Sequence, residues 1–153
     1  MALQPGDQAP DIVLPDQDGT VRRSSDLSGK ILVLFFYPKD DTPGCTAEAC
    51  SFRDNLTLFE SFGAEVWGVS GDDANSHRQF AGRHQLPFPL LSDPDKSLRK
   101  AFGVPSTLGF LPSRVTYVID GAGIIRHIYN NLLDGPAHVQ EARRCIEAIS
   151  SKS

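Results

Sequence analysis

Hydrophobic residues form two continuous runs in the first half of the chain. The run at 31–37, ILVLFFY, ends at Pro38, and the run at 64–70, AEVWGVS, contains Trp67. Continuous apolar runs of this length are typical of strands that are buried on both faces of a sheet. We therefore predict a central strand at 31–37 and a second apolar strand at 64–70, and we place Trp67 in the core.

Residues with helical spacing follow each run. Apolar positions recur at near-helical intervals over 43–62, where a glycine then supplies a stop. The segment 72–85, DDANSHRQFAGRHQ, opens with an aspartate cap and ends before a proline. The closing segment 136–150, PAHVQEARRCIEAIS, reads as an amphipathic helix. Strands and helices that alternate in this way indicate an α/β fold.

Shorter strands complete the pattern. A turn signal, DQDG, interrupts the alternating segment 11–23 and predicts an N-terminal β-hairpin. PLLS at 89–92 is a candidate short strand, and RVTYVID and IIRHIYN flank a glycine-containing turn. No fixed-period repeat or long linker divides the chain. We predict a single α/β domain over residues 1–153, with mixed strand directions in its sheet.

Composition narrows the classes of function. The 153 residues are 40% hydrophobic and 22% charged, with a net charge of −4, which suits an ordinary globular domain. No lysine or arginine run exceeds two residues, so nucleic acid is not an expected partner. The longest apolar run is far shorter than the roughly 20 residues of a membrane-spanning helix. The N-terminus MALQPGDQAP lacks the pattern of a secretory signal, and we expect a cytoplasmic protein.

Two of the three cysteines lie in the segment 37–50, YPKDDTPGCTAEAC. An odd number at low density argues against a disulfide framework. Pro43 is favoured at the first helical position, which places Thr42 at the N-cap and Cys45 on the first turn. Backbone N–H groups and the helix dipole stabilise a thiolate there, where such thiols have pKa values of roughly 3.5–7.5. Cys45 is therefore a candidate nucleophile, and we expect it near solvent.

The spacing of Cys50, five residues after Cys45, limits what the pair can do. In an intact helix their Cα atoms are roughly 8–9 Å apart, whereas a disulfide needs less than about 7 Å. Either the two never bond, or the helix opens as part of a redox mechanism. C-x₄-C is not a usual zinc spacing, so we expect no metal. Cys145, on the last predicted helix, is expected to be a small core residue.

The residues around Cys45 resemble the peroxiredoxins, specifically the Q-type, bacterioferritin-comigratory-protein-like branch. The family pattern Pro-x-x-x-Thr-x-x-Cys is present as PKDDTPGC within FFYPKDDTPGCTAEACSFRDN, and FGVPS, LPSRVTYVID and HIYNN follow in the order of that branch. The resemblance implies a thioredoxin-like fold, with a central mixed sheet flanked by helices. It also implies thiol-dependent reduction of hydrogen peroxide and organic hydroperoxides, with no metal, flavin or haem cofactor.

The resemblance assigns roles to five residues. Cys45 matches the peroxidatic cysteine, Cys50 the resolving cysteine, and Pro38, Thr42 and Arg114 the remaining site positions. Attack by the Cys45 thiolate would give a sulfenic acid, which Cys50 would convert to an intramolecular disulfide. Thioredoxin or a similar dithiol would then reduce that disulfide. Q-type relatives are often monomeric, so we expect a monomer.

Two other functions remain open from the sequence. A protein disulfide oxidoreductase on the same fold would pass disulfides to client proteins, although the C-x-x-C pattern is absent. A binding or chaperone module would have inert cysteines. Glu48, within one turn of Cys45, is either a surface charge or part of the site, and we expect a surface charge.

Overall fold

The structure is a computed structural model that describes residues 3–107 and 111–151. Its helices and strands confirm the α/β class. The strands are β1 Val13–Pro15, β2 Val21–Arg23, β3 Ile31–Phe36, β4 Ala64–Ser70, β5 Leu90–Ser92, β6 Ser106–Thr107, β7 Leu111–Pro112, β8 Val115–Ile119 and β9 Ile125–Asn130. The α-helices are α1 Pro43–Asp54, α2 Leu56–Ser61, α3 Ala74–His84, α4 Ser97–Ala101 and α5 Gly135–Ser151, and a short 3-10 helix spans Ser24–Leu27.

A five-stranded mixed sheet forms the centre of the fold, in the order β5-β4-β3-β8-β9. β3 pairs in parallel with β4 and antiparallel with β8, so Val33 lies between Val66 and Val118. β1 and β2 form the predicted N-terminal hairpin, in which Val13 pairs with Arg23. The pairing of β6 with β7 was not predicted. The expected mixture of strand directions is confirmed.

β3 is buried on both faces because its alternate side chains enter two different hydrophobic clusters. Val33 and Phe35 belong to the cluster under α1, α3 and α5, whereas Leu34 and Phe36 belong to the cluster on the opposite face. Trp67 lies in this second cluster and is 1% exposed, as predicted. The C-terminal end of β3 leads directly into the segment that carries Cys45 and Cys50.

The prediction of one helix over 43–62 is wrong, because the chain bends at Asn55. This residue has φ −107° and ψ 5°, and it separates α1 from α2. Its side-chain amide donates to the carbonyl of Ser51 at 2.8 Å, a local bond that competes with continuation of the helix. The helix that carries Cys45 and Cys50 is therefore only 12 residues long.

The start of α5 lies directly against the first turns of α1 through a glycine. A Cβ atom at Gly135 would lie 2.7 Å from the Cβ of Glu48 and 2.9 Å from the carbonyl oxygen of Gly44. Both distances are shorter than a van der Waals contact, so a side chain at residue 135 would push the helices apart. The glycine therefore permits the close approach of the two helices.

None of the helices in the described part of the chain is both long enough and apolar enough to cross a membrane.

Substitution Gly135→Ala should destabilise the protein by about 1–3 kcal/mol, because the added methyl group overpacks the contact with α1. Gly82→Ala is the matched control, since Gly82 lies inside α3 with open space around its Cα. Alanine should stabilise that position by about 0.5–1 kcal/mol. Urea unfolding of both variants measures the difference, and equal stabilities would mean that the α1–α5 contact is loosely packed.

Candidate active site

Cys45 lies on the first turn of α1, at the position that the sequence predicted. Pro43 is the first helical residue and Thr42 occupies the N-cap position. The thiol is buried, with 1% of the residue exposed, so the expectation of a site near solvent is wrong. The start of α5 and the side chain of Arg114 cover this turn.

The hydroxyl of Thr42 does not cap the helix. It donates to the carbonyl of Lys39 at 2.9 Å, and the first helical bond runs from the Thr46 amide to the Thr42 carbonyl at 2.8 Å. Because the hydroxyl proton is used in this bond, the oxygen lone pairs of Thr42 remain available to accept a hydrogen bond. The side chain can therefore accept a hydrogen bond from a donor group that binds beside Cys45.

Arg114 immediately precedes β8 and is 4% exposed. Its guanidinium group donates to three separate acceptors: Nε to the Leu132 carbonyl at 3.1 Å, Nη1 to Glu48 Oε1 at 2.6 Å, and Nη2 to Cys45 Sγ at 3.4 Å. A rigid planar fork with all three nitrogens engaged has a fixed orientation. A positive charge is thereby held beside the Cys45 sulfur, where it favours the thiolate.

Glu48 is fully buried, which contradicts the prediction of a surface charge. It lies three residues after Cys45, on the same side of α1, where it contacts Arg114 and the start of α5. Burial raises the pKa of Glu48 to about 8, although the neighbouring Arg114 acts in the opposite direction. The three-residue spacing from the candidate nucleophile Cys45 was the signal that could have identified it.

His138, on α5, is a site residue that the sequence did not reveal. Its Nε2 lies 2.8 Å from the Asn131 carbonyl, and its Nδ1 lies 2.8 Å from the Thr116 hydroxyl and 3.6 Å from Glu48 Oε2. Burial lowers the pKa of His138 to about 4, so the ring is neutral at physiological pH. A carbonyl can only accept, so Nε2 carries the hydrogen and Nδ1 accepts from Thr116.

A buried polar network holds the loop between β3 and α1, which contains Pro38 and Thr42. Asp40 accepts from the Tyr37 hydroxyl at 2.6 Å and from the Ser76 hydroxyl at 2.9 Å, and its carboxylate lies 2.7 Å from His77 Nδ1. Ser76 and His77 belong to α3. The loop is therefore fixed to α3, which is not part of the contact between α1 and α5.

Asp40, Asp72 and His77 are the only group in the described part of the chain with the mutual spacing of metal ligands. Their ligand atoms are already used: His77 Nε2 lies 2.9 Å from the Leu91 carbonyl, and Asp72 Oδ2 accepts from the Asp40 amide at 2.8 Å. These atoms are thus engaged in hydrogen bonds within the fold. The group therefore positions the loop.

The other two cysteines are half-buried, and all three are free thiols. Cys50 lies on α1 with Cys45, so the helix keeps their Cα atoms roughly 8–9 Å apart. Cys145 packs against the hydrophobic cluster beside α5, as predicted, and burial raises the pKa of its thiol. The structure brings Cys45, Thr42 and Arg114 together and leaves Cys50 out of bonding range.

Comparisons with known proteins show which family this chain belongs to. The AhpC/TSA family model matches residues 5–128. The chloroplastic peroxiredoxin Q of Triticum aestivum is 49% identical over 145 residues, which cover 94% of this chain and 67% of that protein. The corresponding protein of Arabidopsis thaliana is 47% identical over 144 residues, with the same coverage of 94% and 67%.

Solved structures agree on the fold. The peroxidoxin BcpB of Mycobacterium tuberculosis is 38% identical, with a TM-score of 0.89 over 96% of this chain and 98% of that one. A mutant PrxQ of Xylella fastidiosa is 32% identical, with a TM-score of 0.91 over 98% and 99%. The bacterioferritin comigratory protein of Xanthomonas campestris, described with alkyl peroxide reduction activity, is 30% identical, with a TM-score of 0.84 over 90% and 91%. The predicted thioredoxin-like fold is confirmed.

Substitution Asp40→Asn should destabilise the protein by about 3 kcal/mol, because it leaves His77 without its buried carboxylate partner. It should also speed alkylation of Cys45, since the buried thiol becomes more accessible when the loop before α1 loses its anchor. Asp54→Asn, at an exposed ion pair, is the matched control and should change stability by less than about 0.5 kcal/mol. Urea unfolding and alkylation rates test this, and parental values for Asp40→Asn would show that the network does not support the loop.

Proposed function

Because the chain belongs to the AhpC/TSA family and is a Q-type peroxiredoxin, a thiol-dependent peroxidase, we propose that Cys45 is its peroxidatic cysteine and Cys50 its resolving cysteine. Its substrate is a hydroperoxide and its reductant is a thiol. The observation that carries the assignment of Cys45 is the contact at 3.4 Å between its sulfur and the buried Arg114 guanidinium.

The first step is a displacement at the peroxide O–O bond. The Cys45 thiolate supplies the electron pair, an S–O bond forms, and the O–O bond breaks. Cys45 is oxidised to the sulfenic acid, while the second oxygen leaves and takes up a proton to become water or an alcohol. Negative charge accumulates on that leaving oxygen, so donors fixed around it lower the barrier.

Arg114, Thr42 and Pro38 shape this step in the proposal. Arg114 stabilises the thiolate before attack and the leaving oxygen during it. The Thr42 hydroxyl donates to Lys39, so it serves as an acceptor for the peroxide O–H, which orients the bond for attack. Half-buried Pro38 has no N–H to compete for the substrate and shields the pocket.

Cys50 is a better candidate for the resolving cysteine than Cys145. Cys145 lies seven residues beyond His138 on α5, roughly 10 Å further along the helix from the contact with α1. The pKa of its thiol is raised by burial, which lowers the fraction of the reactive thiolate. Cys50 can reach Cys45 if the segment 43–50 unwinds.

The structure of α1 suits such an opening. A 12-residue helix has marginal stability by itself and depends on its packing. Phe52 is fully buried and its ring stacks on Phe35 with centroids 4.6 Å apart, so it anchors the end of the helix that lies beyond Cys50. The segment 43–50 can therefore unwind while the rest of α1 stays in place.

The proposal extends to the reductant, assembly and location. Thioredoxin is the proposed dithiol, because exchange with a protein dithiol resets an intramolecular disulfide. We propose a monomeric, cytoplasmic protein that acts as one domain over 1–153. Support comes from three free cysteines, which suit a reducing compartment, and from a central sheet that contributes to both hydrophobic clusters.

Intact mass and peptide mapping after one equivalent of hydrogen peroxide, with a thiol-blocking quench, test the assignment of the cysteines. We expect a Cys45–Cys50 disulfide in the parent protein and in the control Cys145→Ser, and a sulfenic acid on Cys45 in Cys50→Ser. Cys45→Ser should stay reduced. A Cys45–Cys145 disulfide would instead assign the resolving role to Cys145. If the protein stays fully reduced while a small-molecule thiol is oxidised, the peroxidatic role of Cys45 is contradicted.

Hydrogen exchange tests the opening of α1. In the disulfide form we expect amides within 43–50 to exchange at least tenfold faster than in the reduced form, since their helical bonds are lost. The amides of α3 serve as the internal control and should keep their protection. Equal exchange over 43–50 in the two forms would contradict a mechanism that unwinds the helix.

A further inference from the structure

The environment of Glu48 differs from that of an ordinary ion-paired carboxylate. One oxygen, Oε1, accepts from Arg114 Nη1 at 2.6 Å. The other, Oε2, is buried and has no hydrogen-bond partner among the described residues. A buried carboxylate oxygen without a partner is costly, so the protonation state of this group needs a physical explanation.

A ring nitrogen that already acts as an acceptor lies close to Oε2. His138 Nδ1 lies 3.6 Å away and accepts from the Thr116 hydroxyl, while Nε2–H donates to the Asn131 carbonyl. A carboxylate oxygen would therefore face a nitrogen lone pair, and the two would repel. A carboxylic acid places no negative charge beside that lone pair, so protonation of Glu48 removes the repulsion. The buried, unpartnered oxygen is also less costly in its neutral form.

The charges around the site point in the same direction. Arg114 contacts two acids, Glu48 and Cys45, and it is the only group facing them in the described part of the chain that is positively charged at neutral pH. A thiolate and a carboxylate together would leave a net negative charge in a buried site, which is costly. Asp134 and Glu141, which act on His138, add further negative charge nearby. One of the two acids therefore keeps its proton.

We propose that Glu48 is a positioning residue that works in its neutral form: it orients Arg114 toward Cys45 without cancelling the positive charge that the thiolate and the leaving oxygen need. This proposal rests on Cys45 as the reacting thiol. Burial, which raises the pKa of Glu48 to about 8, supports it.

The consequence is a loss of activity at alkaline pH. Below about pH 8 Glu48 carries its proton, and the charge of Arg114 acts on Cys45. Above that pH Glu48 ionises and pairs with Arg114, so the thiolate and the leaving oxygen lose stabilisation. The rate constant for oxidation of Cys45 should therefore fall on the alkaline side, by up to about tenfold per pH unit.

The test is the rate constant for oxidation of Cys45 by hydrogen peroxide, measured from about pH 6 to about pH 10 in four proteins. The parent should show the alkaline decrease, and so should the control Glu147→Gln, which alters an exposed carboxylate on α5. Glu48→Gln should lose the decrease, because an amide stays neutral at every pH and still offers an acceptor to Arg114. Glu48→Leu should be at least about tenfold slower than Glu48→Gln, since it cannot orient Arg114.

The outcomes separate the proposal from its alternatives. A Glu48→Gln profile with the same alkaline decrease as the parent, or a parent profile without any decrease, would overturn it. No oxidation of Cys45 in any variant at any pH would instead contradict the assignment of the peroxidatic cysteine. A carbon NMR titration of the parent carboxyl groups gives an independent measure that needs no folded variant. Glu48 should titrate near pH 8, and a Glu48 signal that titrates with the surface carboxyls near pH 4 would refute the proposal.

Discussion

The site depends on the burial of one guanidinium group. Arg114 is 4% exposed, and a positive charge in such a position must be compensated by acceptors. The backbone carbonyl of Leu132 compensates it without adding a full negative charge, while Cys45 and Glu48 compete for what remains. The reactivity of the Cys45 sulfur therefore depends on how much of the positive charge of Arg114 is left after its other neighbours have partly neutralised it.

The two sides of the site are held by different kinds of interaction. On one side, the loop with Pro38 and Thr42 is fixed to α3 by the buried network around Asp40. On the other side, α1 meets α5 through the close contact at Gly135 and through the buried side chains of Glu48 and His138, whose Oε2 and Nδ1 atoms lie 3.6 Å apart. The first side is therefore held by a hydrogen-bond network, and the second by helix packing that the proposed opening of α1 would have to break.

Local sequence patterns predicted the features that depend on interactions between residues close in sequence. β3, β4 and the N-terminal hairpin follow from apolar runs and a turn signal, and the position of Cys45 follows from Pro43 and Thr42. The sequence did not predict the burial of Cys45 or Glu48, because α5 and Arg114 cover them from more than 60 residues away. His138 was missed for the same reason. The break at Asn55 was missed because apolar spacing continues across it, although a side-chain bond to Ser51 ends the helix.

The short length of α1 also determines how quickly its first turns can re-form. Helices of about 20 residues relax in roughly 0.1–1 µs, so two turns can re-form on that scale once the proposed Cys45–Cys50 disulfide is reduced. Typical turnover takes between about a millisecond and a second. Unwinding in the proposed cycle must also break the buried contacts of Cys45 and Glu48, and local opening of a packed segment takes from microseconds to seconds. Release of the helix from its packing is therefore the part of this motion that overlaps the time of turnover, whereas rewinding is faster.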